Sequence, residues 1–171
     1  MQIKRTRATI TGITIILVAL LSRLEAREIE SGFPSVELQT LDGENVLIEP
    51  DPEVRYTVLE FWAMWCAPCI ESLPELDEVF KGLQDKPLRF YMVNCDNTRS
   101  RAKVRSFIRS HEIGSNVLLD PTQDLVRFYN INSWPHMIVL DSKGRVIDRK
   151  ARYMPGDEFL LEEELLELLD K

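Results

Sequence analysis

Two cysteines separated by two residues constrain this chain more than any other feature of its sequence. Cys66 and Cys69 follow the apolar run "YTVLEFWA" and precede a segment with the hydrophobic spacing of a helix. A cysteine pair at this spacing can bind zinc, form a permanent disulfide, or exchange disulfides with another protein. The sequence therefore predicts a cysteine site at the junction between a buried strand and a helix.

Two of these three functions are weakly supported by the rest of the sequence. A structural zinc site needs four ligands, and the remaining candidates, Cys95, His111 and His136, show no paired spacing with one another. A permanent disulfide across so short a loop would remove little conformational entropy from the unfolded chain. We therefore favour a redox-active pair and expect no metal.

Length and charge limit the class of protein. The 171 residues, 44% of them hydrophobic, suit one globular domain with a full core. A formal net charge of -7 argues against nucleic acid as a partner, because phosphate binding needs clustered Lys and Arg. The residues after position 26 contain 17 basic and 27 acidic side chains, a net charge of -10.

The first 26 residues have the layout of an export signal. Lys4, Arg5 and Arg7 precede the apolar run Ile10 to Leu21. This run is short for a bilayer core, which takes about 20 apolar residues, so we expect a signal peptide cleaved near Ala26. A signal anchor is the alternative. Export would place residues 27–171 in a compartment where disulfides can persist.

The chain beyond Arg27 alternates between strand and helix patterns. We predict, in order, a hairpin turning at Asp42-Gly43, the strand "RYTVLEFWA", a helix from about Ala67, the strand "LRFYMVNCD", the helix "TRSRAKVRSFIRSHEI", the strand "NVLLD", the helix "PTQDLVRFYN", a hairpin turning at Ser142 to Gly144, and the helix "GDEFLLEEELLELLD". This order predicts an α/β domain whose mixed sheet is flanked by helices on both faces.

Three features together resemble the thioredoxin fold. They are the motif "FWAMWCAPC" between a strand and a helix, Pro74 five residues after Cys69, and the pair Trp134-Pro135 at the head of a late strand. The export signal and the N-terminal hairpin resemble the membrane-side branch of that family, the TlpA, ResA and DsbE-like thiol-disulfide oxidoreductases. The resemblance covers Phe33 to Lys171 and implies a thioredoxin fold with an N-terminal β-hairpin extension.

Physical chemistry assigns roles to the two cysteines. A cysteine at a helix N-terminus meets unpaired backbone N–H groups and the positive end of the helix dipole, which favour the thiolate. Cys66 is at that position and is the expected nucleophile. Cys69 lies nearly one turn further along, where it can attack a mixed disulfide on Cys66 and release the partner.

Glu60 is an acidic residue inside an otherwise apolar strand. The resemblance places it where thioredoxin-like proteins carry a buried acid. Burial without a partner raises the pKa of a carboxyl, which suits a group that accepts and returns a proton. We therefore predict that Glu60 accepts the proton of Cys69; a glutamate at the strand end that reaches solvent is the alternative.

The resemblance also implies a substrate-binding edge beside the dithiol. In the family the proline matching Pro135 is cis, and the backbone of the preceding residue, here Trp134, pairs with a substrate strand. An ordinary trans proline at a strand start is the alternative. Trp65 would shield one side of the Cys66 sulfur, unless it is a core aromatic. Cys95 is expected to be a small buried hydrophobic residue.

We therefore predict an exported thiol-disulfide oxidoreductase that uses a Cys-Ala-Pro-Cys dithiol. The neutral spacer and the predicted buried acid favour a reductant of other exported proteins, in the bacterial periplasm or at the outer face of the inner membrane. Such a reductant needs an electron donor, expected to be a membrane protein, and the N-terminal segment is a candidate tether. The chain contains no flavin or nicotinamide motif, so we expect no cofactor. The alternatives are an oxidase or isomerase of the same fold, or a non-catalytic chaperone or assembly factor.

Overall fold

The computed structural model describes Gly32, Pro34 and residues 36–170. The predicted signal peptide or anchor, residues 1–26, lies outside the described residues. Within the described part of the chain, none of the helices combines the length and apolar character that crossing a bilayer requires.

Seven strands of the described chain form one sheet, in the order β2-β1-β5-β4-β3-β6-β7. The strands are β1 (Glu37–Thr40), β2 (Asn45–Leu47), β3 (Tyr56–Trp62), β4 (Leu88–Asn94), β5 (Asn116–Leu119), β6 (His136–Asp141) and β7 (Val146–Lys150). The helices are α1 (Ala67–Gly82), α2 (Arg101–Ser110), α3 (Asp124–Phe128) and α4 (Asp157–Leu169), and a 3-10 helix (Thr98–Ser100) precedes α2.

Parallel and antiparallel pairs are combined in this sheet, as predicted. β3 is parallel to β4 and antiparallel to β6, and β4 is parallel to β5. The predicted N-terminal hairpin is present as β1 and β2, which join the sheet through β5. Gly43 in its turn has a φ of 93°, a backbone conformation that favours glycine.

Both faces of the sheet are covered, which explains the continuous apolar run of β3. Val58 and Trp62 point towards the face that packs against α1, α2 and α4. Leu59 and Phe61 point towards the opposite face, where side chains of the α3 region pack. A central strand that is buried on both faces needs apolar residues at nearly every position. The prediction of helices on both faces is confirmed.

Strand register brings two distant loops together. Phe61 pairs with His136, so the carboxyl end of β3 lies beside the first residue of β6. The segment that leaves β3 therefore runs next to the segment that enters β6. The first of these contains Cys66, and the second contains Trp134 and Pro135.

Candidate active site

Cys66 and Cys69 form a disulfide at the start of α1. Cys66 is the N-cap residue and keeps an extended backbone, while Pro68 lies in the first turn, where a missing N–H costs the helix nothing. The backbone N–H of Cys69 donates to Cys66 Sγ over 3.3 Å. An amide that donates to a sulfur favours the charged thiolate, so this geometry would stabilise the thiolate of Cys66 after reduction.

The two sulfur-bearing residues differ in their access to solvent. Cys66 is 5% exposed, whereas Cys69 is fully buried. Only Cys66 therefore presents an edge to an incoming disulfide. This asymmetry supports the assignment of Cys66 as nucleophile and Cys69 as resolving cysteine.

A buried polar pair holds the loop before Cys66. The Asp96 carboxylate accepts hydrogen bonds from the backbone N–H of Met64 over 2.7 Å and from Asn94 Nδ2 over 2.9 Å. The N–H of Cys66 donates to Ala63 O over 3.0 Å. These bonds fix the turn that connects β3 to α1. The sequence-based prediction missed Asp96, although polar residues just beyond the carboxyl end of a core strand were a visible signal.

Glu60 is buried at the centre of the sheet, with 2% of its surface exposed. It is two residues from Val58 and from Trp62 along β3, so it faces the same side of the sheet, against which α1 with the dithiol packs. Burial raises the pKa of the Glu60 carboxyl well above its ordinary value. Among residues 36–170, no group is found to donate a hydrogen bond to this carboxyl. The alternative of a strand-end glutamate that reaches solvent is therefore wrong.

Two indoles stand beside the disulfide. Trp65 is 62% exposed, and its ring lies edge-on against the half-buried ring of Trp134, with the centroids 5.3 Å apart. The peptide bond between Trp134 and Pro135 is cis, as predicted. The alternative that Trp65 is a core aromatic is wrong, because most of its side chain is exposed. The core tryptophan of this segment is Trp62, which is fully buried. Trp65 directly precedes Cys66, and Trp134 packs against the buried cluster that contains both cysteines, so the two indoles form an apolar wall at this end of the site.

Of the remaining candidate residues, Cys95 and His136 are buried and His111 is exposed. Cys95 is 2% exposed, and burial raises the pKa of its thiol to about 12, as expected for a buried hydrophobic residue. His136 is buried at the start of β6, where desolvation, followed by the charge of Arg149, lowers its pKa. His111 lies at the end of α2, and its ring is tilted against that of Phe107 with the centroids 4.3 Å apart. In the described residues, no cluster of His, Cys, Asp and Glu has the arrangement of a metal site.

A family model and two known proteins are similar to this chain in sequence. A model of the AhpC/TSA family matches residues 29–149. Thioredoxin-like protein YneN of Bacillus subtilis (strain 168) is 32% identical over 116 residues, which cover 67% of this chain and 66% of YneN, just under two thirds of its length. Sporulation thiol-disulfide oxidoreductase A of the same strain is 27% identical over 136 residues, covering 78% of this chain and 81% of that protein.

A solved structure extends the comparison to the fold. The crystal structure of StoA from Bacillus subtilis matches this chain with a TM-score of 0.64 and 27% sequence identity. The match covers 76% of this chain and 98% of the StoA chain. The fold described above is therefore a thioredoxin-like α/β fold with an additional N-terminal hairpin.

Proposed function

The chain belongs to the AhpC/TSA family, with thiol-disulfide oxidoreductases such as ResA and StoA, and we propose that it reduces disulfides of exported proteins. The main support for this proposal is the geometry of the disulfide site. The disulfide lies at the N-terminus of α1, next to the paired indoles of Trp65 and Trp134, and Cys66 keeps 5% of its surface exposed whereas Cys69 is fully buried. A permanent structural disulfide requires neither this difference in access between its two cysteines nor an apolar surface beside it.

The first half of the reaction belongs to Cys66. Its thiolate attacks one sulfur of the substrate disulfide, so a bond forms between Cys66 and the substrate while the substrate S–S bond breaks. The displaced substrate sulfur leaves as a thiolate and takes a proton from solvent. The helix terminus and the Cys69 N–H favour the thiolate form of Cys66 that starts this step.

In the second half of the reaction, Cys69 and Glu60 resolve the mixed disulfide. The Glu60 carboxylate accepts the proton of the Cys69 thiol, and the resulting thiolate attacks Cys66 Sγ. The mixed disulfide breaks, and the second substrate sulfur leaves as a thiolate that takes a proton from solvent. Two electrons have then passed from the dithiol to the substrate, and the proton of Cys69 is left on Glu60. The raised pKa of Glu60 makes it basic enough for this transfer once it is ionised.

Substrate contact is assigned to Trp65, Trp134 and Pro135. Pairing of β6 with β3 begins at His136, so the backbone of Trp134 lies outside that ladder. An extended substrate segment can add its own hydrogen bonds there, in the manner of strand addition. The two indoles then supply an apolar surface on the same side of Cys66.

The direction of the reaction and the location are also part of the proposal. Ala67 and Pro68 add no charge near the sulfurs. The helix terminus and Glu60 are then the main influences on how readily the two thiols ionise. A reductant outside the cytosol must be reduced again, and we assign this step to a membrane protein. The first 26 residues fit an export signal, and we place the protein in the periplasm or at the outer face of the inner membrane.

Turnover of a protein disulfide by the full chain tests this function. Reduced wild-type protein should reduce insulin, and Cys66→Ser and Cys69→Ser should both lose turnover. Only Cys69→Ser should accumulate a mixed disulfide with the substrate, because its nucleophile remains while its resolving thiol is absent. Cys95→Ser is the control and should turn over normally. Faster oxidation of reduced substrates than reduction of oxidised ones would support the oxidase alternative and contradict the proposal.

A further inference from the structure

A small cavity adjoins the buried carboxyl of Glu60. It has a volume of about 30 Å³ and lies between the sheet, α1 and the start of α4. A cavity needs roughly 10–15 Å³ of such space to hold one water molecule. Glu60 is therefore next to enough space for water, although its own side chain is shielded from bulk solvent.

The loop between β7 and α4 forms part of the lining of this cavity through Arg152 and Tyr153. Tyr153 is half-buried. The Tyr153 hydroxyl donates to Glu158 Oε2 over 2.6 Å, and the N–H of Gly156 donates to the same oxygen over 2.9 Å. A further bond joins the N–H of Met154 to Asp157 Oδ2 over 2.8 Å. Three hydrogen bonds thus tie this loop to the first turn of α4.

Charged side chains around the cavity do not pair with Glu60. The titratable and charged residues that line it with Glu60 are His136 of β6, Lys150 of β7, Arg152 and Tyr153 of the loop, and Asp157 of α4. Lys150 is paired with Glu164 over 2.5 Å, and Asp157 accepts the Met154 amide. From α1 only the apolar Leu76 reaches the cavity among the described residues. Desolvation by burial, and not a neighbouring charge, is the cause of the raised pKa of the Glu60 carboxyl.

We propose that Glu60 exchanges its proton with solvent through this cavity and that Tyr153 is the positioning residue that limits the entry of water. The inference rests on the proposed function, in which Glu60 holds the proton of Cys69 for part of each cycle. When the carboxylic acid returns to the carboxylate, its proton passes to a water molecule in the cavity and then to bulk solvent. Removal of the Tyr153 ring should hydrate Glu60 and favour its charged form.

A direct titration of Glu60 tests this proposal without any substrate. The oxidised full chain, labelled with ¹³C at the glutamate carboxyl, is titrated by NMR, and the Glu60 signal is assigned by its loss in Glu60→Gln. In Tyr153→Ala the acid dissociation constant of Glu60 should rise roughly tenfold or more, because burial is the main cause of its raised pKa. In Tyr153→Phe, which keeps the ring, the constant should stay within about twofold of wild type.

Tyr56 provides a matched control. It is also half-buried, and its hydroxyl donates to Leu168 O in the last turn of α4, over 3.1 Å. Tyr56→Ala should leave the Glu60 titration unchanged, although it removes a ring of the same size beside the same helix. An unchanged Glu60 titration in Tyr153→Ala would overturn the proposal, as would an equal shift in Tyr56→Ala. If Tyr153→Ala does not fold, Tyr153→Ser, with a residue common in loops, tests the same expectation.

This titration and the insulin assay fail independently. The titration uses oxidised protein and reports only on Glu60, so an unchanged titration would leave the reductase function standing. Loss of insulin reduction in the wild type would contradict the proposed function without moving the Glu60 signal. The two inferences can therefore be accepted or discarded separately.

Discussion

The indole of Trp134 packs edge-on against the indole of Trp65, with their ring centroids 5.3 Å apart, beside the disulfide at the start of α1. One indole precedes the nucleophilic cysteine in the chain, and the other precedes the cis proline that leads into β6. The contact therefore links the two halves of the proposed site. It also gives Cys66 an apolar neighbour whose size depends on residue 134.

Replacing Trp134 by Thr should change substrate selection more than chemistry. The variant loses the apolar wall, so we expect reduction of protein disulfides to weaken or to shift between substrates. Small disulfides do not need the wall and should be reduced nearly as before. Paired kinetics on insulin and on a small aromatic disulfide measure the difference. Phe128→Thr, which removes an exposed aromatic of the α3 region, is the control. Equal losses on both substrates would assign Trp134 a structural role.

Cys66 should be the first cysteine to react with an alkylating reagent in the reduced protein near neutral pH. It is the one with an exposed edge and the helix terminus beside its sulfur. Cys95, with a buried thiol and a pKa of about 12, should be labelled only after unfolding. Mass spectrometry of time points gives the order. Labelling of Cys69 ahead of Cys66 would reverse the assigned roles.

Glu60→Gln should slow the resolving step. The amide cannot accept the Cys69 proton, so the mixed disulfide should persist longer while its formation by Cys66 is little affected. Rapid-mixing experiments that follow both phases across a pH series measure this effect. Glu71→Gln, an exposed change on α1, is the control. Turnover equal to wild type at every pH would show that Glu60 is not the proton acceptor.

Glu60 should also make stability depend on pH. Its pKa is raised in the folded state, so folding disfavours the charged form. The stability present at low pH should therefore be lost as the pH rises from the ordinary carboxyl range up to the pKa of folded Glu60. Within that window the loss is about 1.4 kcal/mol per pH unit. Urea unfolding of oxidised wild type and Glu60→Gln should diverge with this slope, the Gln variant being the more stable at high pH; parallel curves would contradict the assignment.

Much of the fold could be predicted from the sequence because each signal was local. The apolar run of β3, the turn at Asp42-Gly43 and the cysteine pair before a helical pattern each specify nearby backbone. The order of these elements then limits the sheet to few topologies. The cis bond at Pro135 was predicted through the family resemblance and is present in the structure.

Other parts of the site depend on tertiary contacts that leave no pattern in the sequence. The Asp96 carboxylate accepts a hydrogen bond from the N–H of Met64, which is 32 positions away in the chain. No sequence pattern relates these two residues. Tyr153 likewise lines the same cavity as Glu60 although the two are far apart in the chain, because the pairing of β7 with β6 brings the segment after β7 towards β3. The sequence alone did not decide whether Glu60 is buried, because its burial depends on which elements pack against β3.

The reduction potential of the Cys66–Cys69 couple tests the central claim most directly. Oxidised protein is equilibrated in dithiol buffers of defined potential, and the fraction of reduced protein is measured by trapping the free thiols and mass spectrometry. A reductant of protein disulfides should have a midpoint on the thioredoxin side, more negative than roughly -220 mV. A midpoint of about -120 mV, the range of strong disulfide oxidants, would contradict the account and assign the protein to disulfide formation.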